Sequence, residues 1–254
     1  VNTERIGEDP TPATAEYAGR IVNWRFRRYN RILMAKYYVG TAGWSYEDWE
    51  GIVYPVHKDR GFHALPYLAD YINIVEVNST FYRPASPVLA RSWLKRVEGR
   101  PEFLFAVKLH QAFTHARAGY TKKDVDEFKA SVDVLRLGGR LAALLVQFPW
   151  SFAGTPKNMG YLLRLLGLFA GYPLAVEVRH ASWDGPGFYG ALRENKAAFC
   201  NIDQPLFKNS IAPSAVSTTP EFAYVRFHGR NYENWFREDA GRDDRYDYLY
   251  TTDE

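Results

Sequence analysis

Short runs rich in Val, Ile, Leu and Phe alternate along the chain with longer stretches in which apolar residues recur at helical spacing. This pattern marks β-α units that build a parallel sheet, because strands covered on both faces read as near-continuous apolar runs. Seven runs predict strands at 37–42, 72–78, 102–109, 141–148, 174–178, 197–202 and 223–227. Helical patterns lie at 62–71, 87–97, 122–137, 156–170 and 185–195. Two starts are well punctuated, since Ser86 precedes Pro87 and Thr155 precedes Pro156, a capping residue followed by proline in the first turn. The stretch 203–220 is poorly periodic and predicts a loop.

Two architectures use such units. An open doubly wound sheet announces itself with a glycine-rich phosphate loop after its first strand, and Gly40-Thr41-Ala42-Gly43-Trp44 is not that loop. The expected fold is therefore α/β, a TIM-like (β/α) barrel lacking its last strand and helix. Thr251-Thr252-Asp253-Glu254 fits a capping box and predicts a helix beginning where the chain stops, as though it were truncated. Residues 1–33 hold Pro10, Pro12 and a cluster of arginines without an apolar period, and Met34 stands just before the first strand. They predict a disordered extension ahead of a barrel domain over 34–254.

Composition narrows the class. At 254 residues, 46% hydrophobic and 16% aromatic, the chain suits one barrel-sized domain. Cys200 is the single cysteine, which leaves no disulfide framework and no cysteine-based zinc site. Without an apolar span of membrane length or a secretory signal, the expectation is a cytoplasmic protein with no membrane partner. The net charge of +3 comes from 1–37, where Arg5, Arg20, Arg25, Arg27, Arg28, Arg31 and Lys36 outweigh Glu4, Glu8, Asp9 and Glu16. The rest of the chain is neutral overall, so charge lends no weight to a polyanionic partner.

A parallel barrel carries its active site at the carboxyl ends of the strands, and nearly every predicted strand ends in polar residues. The second ends in Glu76, Asn78 and Tyr82, the third in Lys108, with His110 and His115 beyond, and the fourth in Gln147. The fifth ends in Glu177 and Arg179, the sixth in Asn201 and Asp203, and the seventh in Arg226, His228, Gly229 and Arg230. Residues two apart share a face, so Glu76 with Asn78, Glu177 with Arg179, Asn201 with Asp203, and Arg226 with His228 are expected to point inward. The plainer reading is a self-satisfied ion-pair layer, for example Glu177 with Arg226.

Several blocks also resemble a known family. Gly40-Thr41-Ala42-Gly43-Trp44-Ser45-Tyr46 with Trp49, Gly51 and Tyr54-Pro55 resembles the opening of the YecE-like family, domain of unknown function seventy-two. Glu76-Val77-Asn78-Ser79-Thr80-Phe81-Tyr82, Phe105-Ala106-Val107-Lys108, Thr114-His115 and Gln147-Phe148-Pro149 follow in the family's order. So do Glu177-Val178-Arg179-His180 with Ser182-Trp183, and Arg226-Phe227-His228-Gly229-Arg230. The resemblance spans about residues 36–250. It implies a TIM-like barrel and no established activity; the family continues into a final strand and helix, and 1–33 match nothing in it.

The leading functional expectation is an enzyme, a hydrolase or a lyase/isomerase, acting on a small anionic or phosphorylated substrate. Glu76, Lys108, Glu177 and His228 are the catalytic candidates, with a carboxylate as base and His228 as acid. Trp44, Asn78, Tyr82, His115, Gln147, Arg179, Asp203, Arg226, Gly229 and Arg230 are the substrate-binding candidates, Gly229 allowing close backbone approach to a phosphate. No organic cofactor is indicated. A divalent-metal hydrolase is the alternative, drawing on Glu76, His110, His115, Glu177, His180, Asp203 and His228, although no HxH or HExxH spacing occurs. A nucleic-acid-binding alternative would use Trp44, Trp49, Phe81, Tyr82, Trp183 and Trp235 as stacking surfaces. The sequence gives no oligomeric state.

Overall fold

The computed structural model describes residues 35–237, 239 and 241–254. The expectation for 1–33 falls outside the described residues. All the elements below lie within one compact unit, Tyr38–Glu254.

Seven strands follow one another in space in chain order, each parallel to the next: β1 (Gly40–Thr41), β2 (Ile74–Val77), β3 (Leu104–Lys108), β4 (Leu141–Gln147), β5 (Leu174–Glu177), β6 (Ala197–Asp203) and β7 (Tyr224–Phe227). Helices α1 (Ala64–Leu68), α2 (Pro87–Arg96), α3 (Lys122–Leu137), α4 (Pro156–Leu168) and α5 (Pro186–Glu194) occupy the first five crossovers, and a short α6 (Arg242–Tyr246) lies near the end. The anticipated caps form: Ser86 Oγ accepts the Leu89 N–H at 3.2 Å, and Thr155 Oγ1 accepts that of Asn158 at 3.2 Å. The first strand is shorter than its apolar pattern suggests, and Val39 is 71% exposed. At Gly40 a Cβ would stand 1.7 Å from the Ile74 carbonyl oxygen, so only glycine lets β1 approach β2 this closely.

The sheet is strongly curled. β2 and β7 are five positions apart in strand order, which in a flat sheet at roughly 4.8 Å per strand would separate them by about 24 Å. Yet Arg226 Nη2 on β7 donates to Glu76 Oε1 on β2 at 2.8 Å. The seven strands therefore form a curled half-barrel whose two ends face each other across a polar interior. Between the outer face of the sheet and the helices lies a dense aromatic layer of Phe105, Phe128, Phe148, Phe152, Phe169 and Trp183, all at most 2% exposed. Trp183 Nε1 donates to the Phe152 carbonyl at 2.6 Å, which satisfies the one polar atom of that ring.

The crossover from β6 to β7 has no helix, as the sequence pattern anticipated. Irregular chain covers the outer face there, and Asn201 holds it: Nδ2 donates to the Val216 carbonyl at 2.9 Å, while Oδ1 accepts from Ser214 Oγ at 2.7 Å and the Val216 N–H at 3.2 Å. Asn201 and Asp203 thus face outward, against the expectation. The register explains it: Ile202 lies beside Arg226 and Cys200 beside Tyr224, both inward residues, so the two apolar side chains of β6 fill the interior. On β7 the outer residues Val225 and Phe227 are 52% and 72% exposed.

Candidate functional site

At the carboxyl end of the half-barrel, three strands bring their inner side chains into one ionic cluster. Glu177 on β5 is completely buried and stands at its centre. Its Oε2 accepts from Arg226 Nη1 at 2.5 Å and its Oε1 from Arg179 Nε at 2.9 Å. Arg226 is bidentate between strands, since its Nη2 reaches Glu76, whose Oε2 accepts from Tyr224 Oη at 3.0 Å. Burial alone would raise the pKa of Glu177, but Arg226, then Arg179 and His228, hold it well below the carboxylate range. The pKa of Arg226 is raised, because the pull of Glu177 and Glu76 outweighs its burial. Tyr224 is pushed up by burial and by the neighbouring charge of Glu76.

His228 completes this layer. Its Nε2 lies 3.3 Å from Arg179 Nη2, 3.4 Å from Arg226 Nη1 and 3.5 Å from Glu177 Oε1, so the ring is packed into the same charge layer. Burial lowers its pKa more than Glu177 raises it, which keeps the imidazole neutral. The self-satisfied ion-pair layer is therefore present, and Arg226 and Glu177 lie within it as that reading supposed.

Lys108 differs from Arg179 and Arg226, the arginines of the ion-pair layer. Register places it on the inner face, beside Leu145 of β4 and two residues beyond the inward Ala106. The Thr80 hydroxyl donates to its carbonyl at 2.7 Å and fixes the strand end. Its Nζ lies 4.3 Å above the Phe81 ring, yet it makes no hydrogen bond or carboxylate contact among the described residues. Burial, reinforced by Arg226 and opposed by Glu177 and Glu76, lowers its pKa to about 8. His115 packs edge-on against the same Phe81 ring at 4.7 Å. Burial and then the charge of Lys108 drop its pKa to about 4.

Two further polar groups at this end are unpaired. Asn78 Nδ2 donates to the Ala42 carbonyl at 2.9 Å, while its Oδ1 is buried with no partner. Gln147 lies beside Glu177 in register and is 8% exposed, and its side-chain amide makes no hydrogen bond among the described residues. Buried polar groups without partners are uncommon, and a ligand or water is the usual complement.

The other anticipated binding residues stand elsewhere. Asp203 accepts from Arg230 Nε at 3.0 Å through both carboxylate oxygens and from Tyr250 Oη at 2.6 Å, and Arg230 also reaches Glu254 at 3.0 Å, a second network on the outer rim. At Gly229 the N–H donates to Tyr250 Oη at 3.0 Å, and a Cβ would meet that of Tyr248 at 2.7 Å. Tight packing at a positive φ of 77° accounts for that glycine without a phosphate. Trp44 packs edge-on against Trp93 at 5.9 Å as part of the core wall, and Tyr82 is 72% exposed. Trp183 is in the core and offers no stacking face.

Among the described residues no three of His, Cys, Asp and Glu come together with metal-holding geometry. His110 bonds the Tyr82 carbonyl, His180 bonds Ser182, and Asp203 bonds Arg230. No helix among the described residues is long and apolar enough to cross a membrane.

Trp150, Gln204 and Arg245 were not singled out in the sequence, yet they belong to the mouth. Trp150, Arg179, Gln204, Trp235, Arg245 and Tyr246 line a cleft of about 200 Å³ over the mouth. Arg179 forms part of its floor, with the guanidinium 5.9 Å from the Trp235 ring. Arg245 Nε is buried there without a hydrogen-bond partner. Tyr246 is one of three alternating tyrosines, with Tyr248 and Tyr250, that the sequence offers as a lid or, more simply, a packed loop; the placing of Trp235 and Arg245 beside Arg179 was not visible there. Near the chain end, Glu254 accepts from the Thr251 N–H at 3.0 Å, half of the anticipated capping box.

This geometry can be set beside known proteins. Residues 38–254 match the family described as protein of unknown function DUF72. The UPF0759 protein YunF of Bacillus subtilis is 31% identical over 235 residues, covering 85% of this chain and 79% of that protein. A DUF72 family protein of Thermotoga maritima, solved at 2.20 Å, superposes with a TM-score of 0.70 at 36% identity, covering 85% of this chain and 82% of that one. One of Enterococcus faecalis, solved at 2.52 Å, gives 0.62 at 27% identity, covering 67% and 71%. On sequence and on fold, the chain belongs to the DUF72 family of proteins of unknown function.

Proposed function

We propose that the protein is an enzyme acting on a small anionic substrate, a carboxylate or a phosphate ester, at the carboxyl ends of the strands of an incomplete TIM-like barrel. The observation that carries this reading is Lys108. Among the described residues the other inner cations, Arg179 and Arg226, are already bonded to carboxylates, and this one is held in a partly buried, aromatic setting without a hydrogen-bonded counter-charge. Keeping an ammonium in that state costs stability, and a fold retains such a cost where a ligand or a reaction uses it. An amine with a pKa near 8 also exchanges protons readily around neutral pH, as a general acid or base must.

The roles differ from the simplest assignment by residue type. Glu76 and Glu177 are occupied with Arg226 and Arg179, so they hold the basic layer in place and Lys108 is the proton-transfer group. Asn78 Oδ1 and the Gln147 amide are available to orient a substrate. Arg179 and Arg245 in the aromatic-lined cleft supply charge for its anionic group. Phosphate recognition by Arg226 itself is disfavoured, because both terminal nitrogens are already donating. Proton transfer at such a lysine favours a lyase or isomerase over a hydrolase.

Thermal melting with inorganic phosphate, oxalate or pyruvate tests the proposal. Ligand at about 100 times its dissociation constant stabilises the folded state by roughly 2.7 kcal/mol, a readily measured shift. The expected result is stabilisation by one of these anions that is lost in Lys108→Met and in Arg179→Met. Equal melting temperatures with and without all three would defeat it.

A further inference from the structure

We propose that Lys108 is a covalent catalyst, forming an iminium adduct with a small aldehyde or ketone that also carries a negative charge. This deepens the reading above and depends on it for the anionic group alone.

The argument starts from what an ion-pairing lysine would look like here. Two buried carboxylates, Glu76 and Glu177, lie at the same end of the half-barrel, and a lysine present for charge balance would bond one of them. Instead both are bonded by arginines, which are planar, always charged and chemically inert. The one inner cation on a flexible stem that can also exist as a neutral nucleophile is left unbonded over Phe81. Desolvation against an aromatic face and a neighbouring cation are the two means by which proteins activate an amine, and Phe81 supplies the first while Arg226 and Arg179 supply the second. The Thr80 hydroxyl, bonded to the Lys108 carbonyl, fixes the strand end from which the side chain projects.

The chemistry balances without an added reagent. The free amine of Lys108 attacks the carbonyl carbon; a C–N bond forms as the π electrons of C=O move to oxygen. A proton passes from nitrogen to oxygen to give the carbinolamine. Protonation of that hydroxyl lets the C–O bond break, water leaves, and a C=N bond forms. Counted from the ammonium, one cation and one carbonyl become one iminium and one water, with no net proton and no change of charge at Nζ. The site that accommodates the ammonium therefore accommodates the adduct electrostatically. His115, neutral at physiological pH and packed edge-on against the same Phe81 ring, is the proton carrier for the two transfers. Asn78 Oδ1 and Gln147 supply hydrogen-bonding groups for the carbinolamine hydroxyl and the substrate's remaining oxygens.

The test uses the whole unmodified protein. It is incubated near pH 7.5 with pyruvate or glyoxylate and sodium cyanoborohydride, which reduces an iminium to a stable secondary amine, and each lysine is followed by peptide mass spectrometry. Lys122 and Lys123, with side chains 88% and 83% exposed on α3, are internal references in the same sample. An amine with a pKa near 8 has on the order of a hundred times more free base at this pH than an ordinary lysine, so labelling of Lys108 is expected to exceed that of the references at least about tenfold. It should also saturate with probe concentration. Labelling at Lys108 no faster than at Lys122 and Lys123 overturns the proposal, and no variant has to fold for that outcome to be read. The two proposals fail separately: an anion-dependent melting shift without an adduct removes the covalent step alone, and an adduct without any anion effect removes the anionic-substrate reading alone.

Discussion

Arg226 and Glu76 are 150 residues apart in sequence and 2.8 Å apart in space, joined across the interior of the sheet. Arg226 also bonds the fully buried Glu177, so a single guanidinium neutralises two carboxylates on two other strands. Replacing it with Met strands both charges. Breaking a buried pair from one side costs about 3–5 kcal/mol, and Arg226→Met is expected to lose that much in urea denaturation at pH 7. Without Arg226 the Glu177 carboxyl loses the strongest charge holding its pKa down, so the deficit should shrink as pH falls toward 5. A loss below 1 kcal/mol, or one independent of pH, would contradict the bonding described.

Lys108→Met should have the opposite sign. The pKa of Lys108 is depressed to about 8, so the folded state binds this proton less tightly than the unfolded chain, and the penalty is fully present below pH 8. Removing the amine is expected to stabilise the protein by about 1–3 kcal/mol at pH 7 while abolishing anion response. A destabilised Lys108→Met protein would mean that the ammonium has a structural partner.

The depressed pKa of His115, about 4, and that of His228 set the acid limb of stability. Both folded-state values lie below the unfolded value near 6.5, so stability is unaffected above that pH and falls as pH drops from 6.5 toward 4. In His115→Gln this decline should be shallower, measured as the urea midpoint at half-unit pH intervals. An unchanged slope would show that His115 titrates normally.

Much of the fold was legible because parallel strands covered on both faces are apolar throughout, and because Ser86-Pro87 and Thr155-Pro156 mark helix starts locally. The polar pairs were visible as pairs, but alternation alone does not tell which face is inside. It held for Glu76, Glu177 and Arg226 and failed for Asn201 and Asp203, where Cys200 and Ile202 claim the interior. Lys108 was legible as a polar strand end and a catalytic candidate, but its lack of a carboxylate partner was not, since that depends on Arg179 and Arg226 taking both carboxylates first. The cleft under Trp235 and Arg245 escaped for a similar reason: it is made by irregular chain with no period to read.

The outer face of β7 yields a last expectation. β7 pairs with β6 alone among the described residues, and Val225 and Phe227 stand out from it largely exposed. A strand with a free edge and an apolar face invites pairing with another chain. Val225→Lys should lower light scattering on concentration without changing the melting temperature by more than a degree or two. Scattering equal to that of the unmodified protein would place the sticky surface elsewhere.

The reach of Arg226 back to Glu76 also bears on how the molecule comes into being. During synthesis Glu76 and Glu177 both leave the ribosome before Arg226, the cation they share. Until residue 226 is out, Glu76 has no arginine partner and Glu177 has only Arg179, so a tightly curled sheet would have to desolvate a carboxylate without its hydrogen-bonded cation, and early closure is penalised. The half-barrel is thereby timed: its strands can stack in order as they appear, but the curl tightens only when the last of them delivers its guanidinium, and the reactive end is assembled in the same event.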